Sequence, residues 1–466
     1  MKLNTGSRSG ERTHEGAPAV PYLGAEQRLR RSVMACLLWE QQFYEDGASI
    51  ADRIGEAARR VPAATLAAIA IEARTVHNLR HVPLLLVSVL AETGKGTPIV
   101  QDTVVRVVQR ADEIGELLAV HAHRCGVSPK AVKPVLTHGL RKGLARAFRS
   151  FDEYQLAKWD RGGVIKLRDA LFLCHAKPAD DDQAALWKRL IDGELATPDT
   201  WEVGLSTGGD KRETFERLLR EGKLGYLALL RNLRTMTEVG VDPDVLCGAI
   251  LARKGAQRVL PFRYVAAARA CPQLEPEIDQ ALAAAIADMP PLPGRTIMLV
   301  DVSGSMRSKL SSRSDLTRMD AAAALASIVR GDVRVFSFSA RGCSWAPGKG
   351  RSHDGTTPVL VEVPPRRGMA GVDAVIGSQE HGGTMLGQAI REANDLPHDR
   401  LIVITDEQSH DPVPDPVADR AYMINVASAR NGVGYGRWTR IDGFSESVLR
   451  FIVAHEERDD QTGSPG

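Results

Sequence analysis

From Glu26 to Met289 apolar residues recur every three or four positions in one short segment after another. That spacing lines one face of an α-helix and predicts amphipathic helices over residues 50–60, 63–74, 83–92 and 98–120. Pro62 and Pro98 stand where helices begin, Gly47 and Gly94 where they end. The rhythm continues through residues 169–174, 183–191, 211–221, 226–236, 244–253 and 275–288, with no strand-like alternation of comparable length. Many short helices with brief connections predict an α-solenoid of the HEAT or armadillo kind.

The grammar changes after the stiff segment Met289-Pro-Pro-Leu-Pro-Gly294. Residues 296–302, 333–339, 400–405 and 422–427 are short apolar runs suited to buried strands. Helical patterns at 320–329 and 384–394 separate them, and residues 445–455 complete the alternation. Strand-helix alternation predicts a parallel sheet covered on both faces, a doubly wound α/β domain. The expected organisation is a disordered leader over 1–24, a helical-repeat domain over 25–291, an α/β domain over 292–456 and a disordered tail over 457–466.

Composition refines this picture in three ways. Aromatics make up 5% of the chain, which favours packed helices over a β-sandwich. Lys and Arg number about 40 against about 36 acids up to residue 290, and about 20 against about 22 beyond it, so the basic surplus lies in the helical part. Cys36, Cys125, Cys174, Cys247, Cys271 and Cys343 show no zinc-ligand spacing, and read as buried free thiols in a reducing compartment. The polar start of the chain lacks a signal-peptide core, and the longest apolar run, residues 82–91, is about half a membrane span. A soluble, cytoplasmic protein is expected.

The sharpest chemical signal is Asp301-Val-Ser303-Gly-Ser305-Met at the end of the first strand of the second domain. In doubly wound sheets ligands gather at the carboxyl ends of strands. Two more features fall at such ends, Gly382-Gly383-Thr384 before a helix and Thr405-Asp406 after the RLIVIT strand. Two carboxylates and three hydroxyls make an all-oxygen set suited to a hard divalent ion, Mg²⁺ or Mn²⁺. The set resembles the metal-ion-dependent adhesion site of von Willebrand A domains, which implies Asp301, Ser303, Ser305, Thr384 and Asp406 as ligands. The Ser- and Arg-rich stretch 307–318 is expected to be an exposed loop or frayed helix near that mouth. A hydrolase using Asp301 as nucleophile is disfavoured, because Ser303 stands where an acid-base partner would be needed and no G-x-S-x-G elbow is present.

Two tracts are free of acids. Between Glu116 and Asp152 stand Arg124, Lys130, Lys133, Arg141, Lys142, Arg146 and Arg149, with His121, His123 and His138 interleaved. Lys142, Arg146 and Arg149 share a helical face. Residues 245–274 hold Arg253, Lys254, Arg258, Arg263 and Arg269. Basic surface cleared of carboxylates suits a phosphate backbone, although one such tract alone is also what a solvated face looks like.

Several pieces, in order, resemble TROVE-domain proteins, the Ro autoantigen and its bacterial relatives. They are GVIKLRDALFLCHAKP from Gly163, WEVGL from Trp201, GYLALLRNL from Gly225 and LPFRY from Leu260, followed by the A domain. The resemblance implies a closed or nearly closed ring of helical repeats with the A domain joining its ends. It also implies binding of small structured Y-like RNAs on the outer basic surface, with single-stranded ends of misfolded RNAs entering the hole. Lys158 and Arg161 match basic positions of RNA contact, and Lys166, Arg168, His175 and Lys177 fall in the first motif. For His175 a buried helix histidine bonded to a carbonyl is an equal alternative.

The function expected is a non-catalytic RNA scaffold in RNA quality control, acting as a monomer, with an exoribonuclease such as polynucleotide phosphorylase as a partner. The alternative is a metal-dependent protein-adhesion module on a passive helical frame. Few aromatics accompany the basic tracts, so little base stacking is expected.

Overall fold

The computed structural model describes residues 25–33, 47–160, 163–206, 209–259, 261–287, 289–310, 316–340, 344–346, 350–352, 358–426, 437–442, 448–449, 451–453 and 455–456. The expected disordered leader and tail, and Arg161, lie outside them.

The first part is helical throughout. In chain order its helices are α1 (Ala25–Val33), α2 (Gly47–Arg59), α3 (Ala63–Thr75), α4 (His81–Thr93), α5 (Ile99–Val107), α6 (Asp112–Arg124), α7 (His138–Phe148) and α8 (Glu153–Trp159). There follow α9 (Leu167–Cys174), α10 (Asp181–Asp192), α11 (Trp201–Ser206), α12 (Lys211–Arg220), α13 (Tyr226–Glu238), α14 (Pro243–Ala252), α15 (Pro261–Ala270) and α16 (Glu275–Ala287). Helices two apart in sequence pack together: α2 on α4, α3 on α5, α4 on α6, α5 on α7, and again α12 on α14, α13 on α15, α14 on α16. That neighbour pattern is the signature of a solenoid. Gly143 shows how closely the layers approach, since a Cβ there would stand 2.7 Å from Val104 Cβ.

One helix expected over residues 98–120 is two, α5 and α6. Val108 is extended (ψ 105°), and the Glu113 carboxylate accepts the backbone N–H groups of Gln109 and Arg110 at 2.9 and 3.1 Å. Glu113 also pairs with Arg74, whose Nε donates to Val107 O at 3.0 Å. A tertiary ion pair thus satisfies the backbone groups that the break exposes.

The second part runs β1 (Leu292–Asp301), α17 (Arg318–Ile328), β2 (Gly331–Phe338), β3 (Ser344–Ala346), β4 (Gly350–Ser352), β5 (Leu360–Glu362), α18 (Gly368–Ile376), α19 (Leu386–Asn394), β6 (Arg400–Thr405), β7 (Arg420–Asn425) and β8 (Thr439–Asp442). The main sheet has the order β5-β2-β1-β6-β7-β8. All pairings are parallel except β2–β5, so the expected parallel sheet carries one short antiparallel edge strand. Ile297, Leu299, Leu401, Val403 and Met423 meet α19 on one face. On the other face Met298, Val300, Ile402, Ile404 and Ile424 join one continuous core with α17, α18 and the helical array.

Both ends of the array reach the α/β domain. At one end α15 packs on α17 and α16 on α18. There Arg269 pairs with Asp373 at 2.5 Å, and Met369 N–H donates to Asp279 Oδ1 at 2.8 Å. At the other end α1 packs against β8. The sheet therefore closes the helical array on itself.

Candidate functional site

Asp301 is the last residue of β1, a central strand flanked by β2 and β6, and its side chain is fully buried. Its Oδ1 accepts the Ser303 N–H at 2.9 Å and its Oδ2 accepts the Thr405 hydroxyl at 2.7 Å. The Ser303 and Ser305 hydroxyl oxygens are 3.3 Å apart. Asp406 follows β6 and is also fully buried, with the Gln408 N–H donating to its Oδ1 at 3.3 Å. Burial first, and the Asp406 charge second, push the Asp301 carboxyl well above the usual carboxylate range.

Thr384 joins through its loop rather than by a direct side-chain bond. Its carbonyl accepts both the N–H and Nδ1 of His410, at 3.1 and 2.9 Å. The preceding loop is stitched to the first one, as Gly304 N–H donates to Gly382 O at 2.8 Å and His381 Nδ1 lies 2.8 Å from Val302 O. The three loops thus converge on one end of the sheet. Two buried carboxylates with adjacent hydroxyls form a hard-oxygen set whose charge calls for a cation, and the donor chemistry fits a divalent ion.

Two arginines lie in the same layer. The Arg318 side chain is 1% exposed, with Nη1 3.9 Å from Asp406 Oδ2. Glu407, fully buried and in the left-handed region at φ 56°, pairs with the buried Arg440. Arg318 departs from the exposed or frayed stretch expected over 307–318, in which Arg307 and Lys309 are exposed. The Thr317–Asp320 capping box starts α17 at this point and turns the side chain inward.

A separate set, Glu92, His121 and Cys125, brings its donor atoms within 4.8 Å of one another and can serve a metal ion. It lies between α4 and α6, away from the sheet. His121 Nδ1 is 3.0 Å from Ser88 Oγ and Nε2 is 3.1 Å from Val135 O, while Arg124 holds Glu92 at 2.9 Å. A metal there would displace bonds that already satisfy the buried imidazole. Histidine and arginine from the first acid-free tract therefore serve helix packing.

The rest of that tract faces outward. Lys130, Lys133, Lys142, Arg146 and Arg149 are exposed, and Arg141 is half-buried. Arg146 pairs with Asp102 at 2.6 Å, an acid from α5 that the sequence interval conceals. Arg149 Nε donates to Lys177 O at 3.1 Å, and Gln183 Nε2 donates back to Arg149 O. These bonds carry the basic face of α7 on to the turn holding His175 and Lys177, both exposed. His175 is the left-handed cap of α9 (φ 51°), so the buried-histidine alternative does not hold.

Other candidates are dispersed. Lys158 and Lys166 line a cavity of about 460 Å³ shared with Trp159 and the acids Asp112, Glu116, Asp160 and Glu202. Arg110 covers the Trp159 ring at 3.7 Å. Arg168 is exposed and 3.5 Å from Asp169. In the second tract Arg263 lies over Phe262, Arg258 ends a short 3-10 turn, and Arg269 belongs to the domain joint. Tyr154 and Phe172 are 48% and 59% exposed, aromatic surface beside the basic positions that sequence spacing did not reveal.

The TROVE domain family matches residues 185–284. The match covers 100 of the 466 residues, all within the helical part. The chain is 31% identical over 90 residues to telomerase protein component 1 of Mus musculus, and 30% identical over 90 residues to that of Rattus norvegicus. Each alignment covers 18% of the chain, and the chain spans 3% of the length of those curated relatives. In structure it is similar to the Deinococcus radiodurans RO (RSR) protein, with a TM-score of 0.62 and 18% identity over 93% of this chain and 100% of that one. That likeness is one of fold. No described helix is long and apolar enough to cross a membrane.

Proposed function

We propose that this chain is a non-catalytic RNA-binding scaffold that takes small structured, Y-like noncoding RNAs on its outer helices and single-stranded ends of misfolded RNAs in the closed array. The observation that carries the reading is the exposed basic face running from Lys142, Arg146 and Arg149 to His175 and Lys177. Clustered cations on a rigid helical surface neutralise phosphates without reading sequence. The TROVE match and the fold shared with the RO protein support the same reading. Work in RNA quality control in the cytoplasm, beside an exoribonuclease such as polynucleotide phosphorylase, is part of this proposal.

In the same proposal Asp301, Ser303, Ser305, Thr384 and Asp406 hold Mg²⁺ or Mn²⁺. The bound ion would supply a position for one oxygen of a partner, a carboxylate or a phosphate. This role is separate from the basic face, because an ion neutralised by two carboxylates attracts distant phosphates weakly. Crosslinking followed by RNA sequencing tests the first part: enrichment of one or two structured noncoding RNAs is expected, and an RNA profile equal to background refutes it. Asp301→Ala tests the second: Mn²⁺ binding should vanish while RNA affinity changes by roughly 1 kcal/mol or less. Loss of RNA binding by two orders of magnitude in a folded variant would assign the ion to the RNA site.

A further inference from the structure

We infer that Arg318 is a built-in counter-cation of the Asp301–Asp406 site, which balances the site without a divalent ion and weakens that ion's binding. The inference rests on the metal reading proposed above and adds a residue that no ligand motif contains.

The backbone around Arg318 is held in place from several sides. Arg318 N–H donates to Ser308 O at 2.9 Å, and Leu310 N–H donates to Leu316 O at 3.0 Å. Lys309 and Thr317 form an antiparallel bridge in the same place. Thr317 and Asp320 cap α17 reciprocally. Its side chain is 1% exposed and its backbone lies at the capped start of α17, which keeps the charge in the buried layer beside Asp406.

The charges explain what it does there. Asp301, Asp406 and Glu407 are each 0% exposed, while Arg318 is 1% and Arg440 is 2% exposed. Arg318 already sets one positive charge against Asp406, so a divalent ion entering the site would meet that charge at close range. Replacing Arg318 with a neutral side chain would remove that repulsion. Charges out of water are strongly unfavourable unless balanced, so the resident arginine both stabilises the ion-free domain and opposes the ion. Asp406 is the contested group, since its Oδ2 already faces Arg318 at 3.9 Å.

The test uses the full chain and Mn²⁺ alone as the probe, titrated by calorimetry and by the electron paramagnetic resonance of free Mn²⁺. Arg318→Met keeps the length and removes the charge, and should bind Mn²⁺ about tenfold more tightly than the unsubstituted protein. Arg318→Lys keeps the charge and should stay within about threefold of it. Without metal the Met variant should melt lower, and Mn²⁺ should raise its melting temperature more than that of the unsubstituted chain. Arg318→Gln provides the same comparison if the Met variant fails to fold.

Binding seen only after Arg318 is replaced supports the inference in its strongest form. Unchanged or weaker binding by a folded Met or Gln variant overturns it and leaves the metal reading standing. Absence of binding in every folded variant overturns both. Tight binding that survives an added Asp301→Asn places the ion elsewhere and also overturns the inference.

Discussion

The basic face of α7 gives a quantitative prediction for RNA binding because its three cations are not equivalent. Lys142 and Arg149 are exposed with no carboxylate bonded to them among the described contacts, whereas Arg146 is bonded to Asp102 at 2.6 Å. If each cation met one phosphate, replacing all three with Ala would lower the log-log salt slope by roughly 2.7, at about 0.9 per phosphate. Arg146, however, must exchange one anion for another, and its net release of counterions is small. The expected loss is therefore roughly 1.8, or about a twelvefold smaller change in affinity between about 50 and about 200 mM salt. Asp102→Ala should do the opposite, freeing Arg146 and steepening the slope by about 0.9. Fluorescence anisotropy with a structured RNA that folds without magnesium measures both. An unchanged slope in the triple variant would assign the face to solubility. A fall of roughly 2.7, or no effect of Asp102→Ala, would refute the role given to the ion pair.

Two further predictions concern stability. Arg400, fully buried, is held by Glu456 through Nε at 2.6 Å and through Nη2, and its Nη1 also donates to Pro293 O and Thr296 Oγ1 at 2.8 Å each. Glu456→Gln should cost about 3 kcal/mol in urea unfolding, at the lower end for a broken buried pair because those Nη1 bonds remain; under about 1 kcal/mol would refute it. His81 is brought down to about 4 by burial and then by the Arg80 charge, so the folded chain takes up this proton later than the unfolded chain does as pH falls. Stability should decline between about pH 6.5 and 4, and His81→Gln should flatten that decline in melts across the range.

Sequence patterning reveals what is local or periodic. The β1 and β6 strands are continuous apolar runs because both faces of the sheet are covered, and their ends carry Asp301 and Asp406. The α7 stripe follows from spacing alone. What stays hidden depends on partners distant in sequence. The break before α6 needs Arg74 to meet Glu113, and Asp102 reaches Arg146 only because α5 packs on α7. Arg269 looks like one more cation of an acid-free tract until Asp373 and Asp320 arrive from the other domain. Arg318 is written in a stretch of serines and arginines that reads as surface, and only the capped start of α17 turns it inward.

The packing of α1 on β8 also sets an order of events during synthesis. Residue 33 ends α1 and residue 439 begins β8, so more than 400 residues separate the helix from its seat. At about 5–20 residues per second the ribosome needs roughly 20–80 s to deliver that strand. Through this interval the array can stack helix by helix while the part of α1 that β8 covers waits for a surface not yet made. A chaperone that masks the first helix would therefore act early and leave last.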